Sequence, residues 1–261
     1  MKTLSFLLKF RKINLLDYNE LSKFLDKCKL DYLIHLGTEN PNYLELKNKV
    51  DFYKKNLTAT KNLIDYFSKR QPNKRLILIG TSQMYGNKKK TVNLNSRFKP
   101  NNSYAKFRVE AYNYMLKLKK KYKSNIVTAI LFNHDSKFRK KKFLIPRLVK
   151  IVKKKEIKKL RSIYKENISG DFSHAEDICN GLYKLLLLKS CPDKLIFSSN
   201  KRTYMNKIIN HLIKINKLEI ELSTNNLKNT FTPVGDNKIT KKILNWKQKK
   251  NIYTAARELN K

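Results

Sequence analysis

An α/β fold, with a parallel sheet covered by helices on both faces, is what this sequence predicts, and three observations predict it. Leu76–Ile79 is a continuous apolar run with the length of a strand buried on both faces, and Ile126–Phe132, apolar but for Thr128, reads as another strand. Longer stretches between and around them carry apolar residues at helical spacing. The two kinds of segment alternate, which is the pattern of parallel strands joined by helical crossovers. A length of 261 residues suits one domain of this class, or a domain with a small lobe.

Met1–Phe10 (MKTLSFLLKF) has an early Lys and a short apolar core. It lacks a long apolar region and an A-x-A cleavage site, so it reads as part of the fold rather than a signal peptide. After the short apolar stretch Ile13–Leu16, Asp17 is placed to cap a helix running to about Cys28. Asp31–Gly37 (DYLIHLG) reads as a second buried strand, and a polar loop follows from Thr38 to Tyr43. Lys49–Arg70 has helical spacing through Val50, Tyr53, Leu57, Leu63, Ile64 and Phe67. The Leu76 strand ends in Gly80, Thr81 and Ser82, and the carboxyl ends of strands are where open α/β sheets place their chemistry. A helix from Tyr104 to about Tyr122 comes next, then the strand Ile126–Phe132. Tyr104 and Arg108 lie four apart and so share one face of their helix.

The formal net charge is +39, from 59 Lys and Arg against 20 Asp and Glu. That balance points first to nucleic acid. Against it, Lys is spread along nearly the whole chain, far outnumbers Arg, and is matched by abundant Ile and Asn. All three have A/T-rich codons, so genome base composition is a sufficient cause. No specific nucleic-acid partner is expected, only weak adhesion to polyanions at low salt. No apolar run reaches the length of about 18 residues that a membrane span needs. Cys28, Cys179 and Cys191 are scattered without a CxxC pair, which predicts reduced thiols in a cytoplasmic protein, mostly filling the core. No His, Cys and Asp spacing suggests a metal site. His35 is expected as a satisfied core histidine, His174 as a cap or turn residue, and Trp246 as core. The runs Arg139–Lys142 and Lys153–Leu160 read as solvated faces, the first also suited to a nucleotide's phosphates.

Several segments then resemble, in order, those of a known family. ILFNHDSKFRKKKFLIPR (Ile130–Arg147) resembles the ILFNHES…R…F…R segment of GDP-mannose 4,6-dehydratases, and GDFSHAED (Gly170–Asp177) is similar to their RDWGHAKD. GDNKITKKILNW (Gly235–Trp246) resembles the GD-x-S-K-A…L-G-W ending of nucleotide-sugar epimerases and dehydratases. LLDYNELSKFLDKCKLDYLIHLG is similar to their DL-x-D…V-I-H-L-A/G-A stretch, and NLTATKNLIDY to their N-x-x-G-T-x-N-L-L-E helix. Thr81 followed by Tyr104 and Arg108 resembles the Ser/Thr…Tyr-x-x-x-Lys layout of the extended short-chain dehydrogenase/reductase family. The chain is identified as a member of that family, closest to the GDP-mannose 4,6-dehydratase branch.

The resemblance implies a Rossmann-like sheet domain over residues 1–132, truncated at its N-terminus, and the last sheet strands with a C-terminal substrate lobe over 133–261. It implies NADP or NAD as cofactor, a nucleotide sugar, foremost GDP-mannose, as substrate, and dimerisation through the Tyr104 helix. Thr81, Gln83 and Tyr104 fall on the catalytic positions. Arg108, His134, Arg139, Leu36, Gly37, Asn14 and Leu15 fall on cofactor-binding positions, and Asn133 and Arg147 on substrate-binding ones. The chemistry suits the residue types. A tyrosine must lose its proton to take one from a sugar hydroxyl, and a cation one turn away favours the phenolate. The family reaction oxidises C4, eliminates water across C5 and C6, and returns the hydride to C6.

Four departures bear on this. The family opens with a strand, a GxxGxxG-type turn and a helix whose N–H groups hold the pyrophosphate. Here the first glycine is Gly37, so the main cofactor anchor and the central strand are missing. Thr3–Leu8 and Ile13–Leu16 are too close together to replace it as a parallel pair. The expectation is a gap, an antiparallel repair, or a piece upstream of an internal start. Gln83 stands where a Glu base belongs, and an amide cannot accept a proton at neutral pH. Arg108 keeps the charge of the expected Lys but not its compact ammonium. Gly170 replaces an Arg expected near the substrate phosphates. Two readings follow: a nucleotide-sugar dehydratase or epimerase with impaired activity, or a non-catalytic relative that binds a sugar nucleotide weakly or serves as a partner subunit.

Overall fold

The computed structural model describes residues 9–38 and 49–261. Four strands form the main sheet: β1 (Tyr32–His35), β2 (Arg75–Thr81), β4 (Ile126–Leu131) and β7 (Lys194–Phe197). They lie in the order β1-β2-β4-β7, and every pairing is parallel. A short β3 (Thr91–Val92) pairs with β9 (Val234–Gly235) beside it.

The apolar run of β2 is continuous because both faces of the sheet are covered, yet its side chains still alternate. Leu76 and Leu78 pack with Leu21 and Leu25 of α1 (Tyr18–Lys27), Leu63 and Phe67 of α2 (Lys49–Lys69), and Met115 of α3 (Ser103–Tyr122). Ile77 and Ile79 face the other way, onto Ile178 and Leu182 of α6 (Ala175–Leu186), Leu244 of α8 (Lys238–Leu244), and Trp246. Polar residues set the helix starts, as N-cap chemistry requires. Asp17 accepts from the N–H groups of Asn19 and Glu20, Asn102 accepts from Ala105, and His174 accepts from Glu176. His35 is buried and hydrogen-bonds Thr60 at 3.1 Å, and Trp246 is core.

Two expectations are corrected. The stretch Asp31–Gly37 does not form a buried strand: β1 spans only Tyr32–His35, Tyr32 and Leu36 are 45% and 67% exposed, and only His35 is buried. The reason is its place at the sheet's edge. β2 covers one side, and among the described residues no strand pairs with the other. Thr3–Leu8 and most of the Thr38–Tyr43 loop lie outside the described residues. The cysteines do not fill the core either. Cys28 and Cys191 are half-buried and Cys179 is exposed on α6, where Ile178 and Leu182 take the inward positions.

The C-terminal half adds a second apolar core. α4 (Leu144–Lys153), α5 (Ile157–Glu166), α7 (Met205–Ile215) and α9 (Ile252–Asn260) pack through Leu148, Val152, Leu160, Ile208, Leu212 and Ala255. β5 (Asn133–Asp135) pairs in parallel with β6 (Ser169–His174), and β6 pairs antiparallel with β8 (Arg202–Tyr204). Asp171 ties this half to the sheet. Its fully buried carboxylate accepts from the backbone N–H groups of Ser199 at 2.6 Å, Asn200 at 3.0 Å and Gly235 at 3.3 Å. Burial pushes its pKa up to about 6, while those donors favour the charged form.

Removing the carboxylate orphans the buried Gly235 N–H and the half-buried N–H groups of Ser199 and Asn200, a buried one costing roughly 1–3 kcal/mol. Asp171→Ala is therefore expected to lower the unfolding free energy by about 3 kcal/mol or more. Denaturant titration measures this, and a loss under about 1 kcal/mol contradicts the staple.

Candidate functional site

β2 and β4 stop side by side, with Thr81 opposite Leu131 in the register. Thr81 ends β2 and caps the short turn Ser82–Tyr85, its Oγ1 accepting from Gln83 N at 3.4 Å. Asn102, the cap of α3, also donates from Nδ2 to Gln83 Oε1 at 2.9 Å. That bond pins the start of α3 to the end of β2, and it brings Thr81 and Tyr104 onto one cleft of about 220 Å3. Asn133, His134 and Asp135 of β5 form its far wall with Arg139, over Phe143 and Phe172. The volume lies below the roughly 300–1,000 Å3 of a whole small-molecule site, so it holds a reacting ring rather than a complete nucleotide sugar.

Arg108 sits behind Tyr104 and is buried. Its guanidinium carbon is 5.3 Å from the centre of the Tyr104 ring and 4.7 Å from that of Phe107. Nη2 lies 3.5 Å from Tyr104 Oη and also donates to Thr38 Oγ1, just beyond β1. Arg108 thus links the phenol to the end of the edge strand, and its buried Nε has no partner.

On the far wall, His134 Nδ1 lies 2.8 Å from the Phe132 carbonyl, which can only accept. Nδ1 therefore carries the proton and Nε2 is left to accept. Burial lowers the His134 pKa, Arg139 lowers it further, and the Phe132 bond opposes both. Arg139 stacks its guanidinium 3.5 Å from the centre of the Phe143 ring and places Nε 3.1 Å from Asp135 Oδ1. Asn133 donates from Nδ2 to the Asp171 carbonyl at 3.3 Å.

The sequence-derived site residues therefore separate into groups. Thr81, Gln83, Tyr104, Asn133, His134 and Arg139 line the cleft. Asn14, Leu15, Leu36 and Gly37 do not. Leu15 Cδ1 would lie 3.4 Å from a Cβ at Gly37, Asn14 Oδ1 accepts from Leu16 N, and Leu36 is exposed at the end of β1. Leu15 lies against Gly37, and Gly37 precedes Thr38, which Arg108 contacts. Arg147 does not line the cleft either. α4 turns Ile145, Leu148 and Val152 into the lobe core, which leaves Arg147 exposed. Asp135 was not among the expected residues. Its position inside the LFNHDS segment was the available signal.

A second cavity of about 490 Å3 shares Arg139 with the cleft and is bordered by Lys137, Lys141, Lys150 and Lys153. The Gly170 departure also has a local cause. A Cβ there would meet Thr232 Oγ1 at 1.9 Å, and Thr232 Oγ1 is held by the Ser169 carbonyl at 3.2 Å.

Tested against a nicotinamide dinucleotide, the residues fit its nicotinamide-ribose end. The unpartnered Arg108 Nε, the nearby Tyr104 hydroxyl and the Nε2 acceptor of His134 are donors and acceptors of the right kind. For the pyrophosphate, no glycine turn is present among the described residues. Gly86 is the one with positive φ, and a Cβ there would meet the Lys99 carbonyl at 2.4 Å. Among the described residues, no group of three or more His, Cys, Asp or Glu is placed to hold a metal, and no helix is long and apolar enough to cross a membrane.

A family model described as GDP-mannose 4,6 dehydratase matches residues 2–259. No curated protein matches the chain. Among solved structures, dTDP-glucose 4,6-dehydratase of Bacillus anthracis in complex with NAD is similar with a TM-score of 0.80 at 16% identity, covering 100% of this chain and 81% of that one. GDP-mannoheptose C4 reductase of Campylobacter jejuni with NADP bound gives 0.77 at 15% identity, covering 97% and 88%. RMD of Pseudomonas aeruginosa complexed with NADPH gives 0.76 at 18% identity, covering 96% and 85%. At these identities the likeness establishes the fold: a Rossmann-like sheet flanked by helices.

The close approach at Gly170 makes a direct prediction. Gly170→Ala is expected to destabilise the protein by about 1–3 kcal/mol through overpacking. Pairing it with Thr232→Ala, which removes the clashing hydroxyl, is expected to recover most of that loss in thermal melts. A single variant as stable as the parent contradicts the packing.

Proposed function

Because this chain belongs to the GDP-mannose 4,6 dehydratase family of extended short-chain dehydrogenases/reductases, we propose that its cleft oxidises a nucleotide sugar, GDP-mannose, at C4 as the first step of a dehydration. The observation that carries the reading is that Thr81 and Tyr104 open onto one small cleft at the carboxyl end of a parallel sheet.

In this reading Thr81 Oγ1 orients the sugar C4 hydroxyl and Tyr104 Oη takes its proton. The Arg108 guanidinium, 3.5 Å away, keeps a fixed positive charge beside the developing phenolate. Packing does the positioning. Phe107 meets the Tyr104 ring edge-on at 5.5 Å, and the Asn102–Gln83 bond fixes the helix start. NADP or NAD, when bound, supplies the acceptor for the hydride that leaves C4. Arg108, His134 and Arg139 would hold its nicotinamide end, and Asn14, Leu15, Leu36 and Gly37 would border the rest. Asn133 contacts the substrate from β5. The lysine-bordered cavity beyond Arg139 takes the diphosphate, where charge and position both suit it. Residues 1–132 thus carry the oxidising half and 133–261 the substrate lobe.

A second reading has its own observation. Gln83 is an amide whose carbonyl is already engaged by Asn102, and no glycine turn is present among the described residues. On that reading the chain is a non-catalytic relative that binds a sugar nucleotide weakly or serves as a partner subunit.

A single turnover of GDP-mannose with stoichiometric NADP, read by the transient absorbance of reduced nicotinamide and by the 4-keto-6-deoxy product in mass spectrometry, separates the two, because the hydride returns to C6 and no reduced cofactor accumulates. The first reading expects reduction, with Tyr104→Phe and Thr81→Ala each slower by about 100-fold or more. Reduction that survives Tyr104→Phe unchanged contradicts the mechanism. Weak GDP-mannose binding with neither transient reduction nor 4-keto-6-deoxy product supports the second reading.

A further inference from the structure

Dehydration needs a group that the cleft's expected base position does not provide. After oxidation at C4, a proton must leave C5 and a hydroxyl must leave C6. Gln83 has no carboxylate, and its carbonyl accepts from Asn102 at 2.9 Å. One carboxylate does line the cleft among the described residues, and it stands on the opposite wall: Asp135, the last residue of β5.

Three features mark Asp135. It is 6% exposed, yet its residue borders the cleft that holds Thr81 and Tyr104. Its buried Oδ1 accepts no aligned hydrogen bond and is held as an ion pair 3.1 Å from Arg139 Nε. And it is rigidly held. β5 pairs with β6 with Asp135 opposite His174, and the paired Arg139 is stacked on Phe143.

We infer that Asp135 is the acid–base carboxylate of this cleft, taking the proton from the sugar carbon next to the ketone and delivering it to the departing hydroxyl. The inference rests on the reading of the cleft as a nucleotide-sugar dehydratase site. The step balances without a further oxidant. The C5–H bond breaks, the proton goes to an Asp135 oxygen, and the electron pair forms the enolate with the C4 carbonyl. That pair then makes the C5=C6 double bond as the C6–O bond breaks, and the leaving oxygen takes the proton from Asp135 as water. Burial also moves the Asp135 carboxyl up to about 6, against the opposing pull of Arg139, into the range where one group serves as both base and acid near neutrality. His134 is the other basic group on this wall, and burial lowers its pKa.

Exchange at C5 tests this apart from the redox step. A GDP-linked 4-keto-6-deoxy sugar carries the acidic C5 hydrogen already, and in deuterated water its loss is read by NMR. The expected result is enzyme-dependent exchange by the parent protein, slower by about 100-fold in Asp135→Asn and partly kept in Asp135→Glu. Equal exchange by Asp135→Asn overturns the assignment and leaves the oxidation reading standing, as does a parent that reduces NADP but never exchanges. A parent that neither reduces NADP nor exchanges overturns both. Should Asp135→Asn fail to fold, Asp135→Glu decides: a carboxylate displaced by one methylene is expected to change the exchange rate by about tenfold or more, and an unchanged rate overturns the inference.

Discussion

Everything at the cleft depends on β2 and β4 ending together. Their parallel pairing runs from Leu76 with Ile126 to Thr81 with Leu131, and both strands are buried almost throughout. That places one strand's last polar residue and the other's outgoing loop at the same rim. The packing leaves no slack: a Cβ at Gly80 would sit 3.1 Å from both Met84 Sδ and Thr128 Cγ2. Interiors this dense transmit a one-residue shift to every neighbour. The rim is therefore a rigid base on which short polar contacts, such as Asn102 with Gln83, are enough to aim a helix.

The second organising feature is where the few carboxylates are placed. In a chain with 59 basic and 20 acidic residues, most ion pairs among the described residues are exposed and contribute little. The buried carboxylates do more. Asp171 gathers the N–H groups of Ser199, Asn200 and Gly235, joining β6 to the segments that follow β7 and to β9. Asp177 accepts from the backbone of Lys249 at 3.0 Å and Lys250 at 2.9 Å, while its carbonyl receives the Trp246 indole at 2.9 Å. Asp135 differs from both: its buried Oδ1 is paired to one side chain and accepts no aligned hydrogen bond. Leaving buried polar capacity unused costs stability, so it is informative when found beside a cleft.

Much of this was legible in the sequence. Apolar runs gave β2 and β4, and capping residues marked α1 and α3, because these signals are local. The Thr81 and Tyr104 pairing followed from motif order, and the structure brings both residues to one cleft. What stayed hidden depends on neighbours. The exposure of β1 reflects the lack of a strand on its outer side among the described residues, which no run of four residues records. Arg147 left the expected group because α4 turns its apolar face to a separate core. The SHAED and GDNK…W segments read as family signatures, and spatially they are one joint, Asp177 holding the turn after Trp246. Asp135 was passed over because its meaning depends on Gln83 being engaged elsewhere, a contact across 19 positions of sequence to Asn102.

The central proposal is that Thr81 and Tyr104 at the rim take the hydroxyl proton from the sugar carbon whose hydride passes to the cofactor. GDP-mannose carrying deuterium at C4 addresses it most directly, with the cofactor recovered and weighed by mass spectrometry. The account predicts that reduced nicotinamide gains the deuterium at early times. Reduced cofactor without the label, or label that stays on the sugar while the cofactor is reduced, contradicts it.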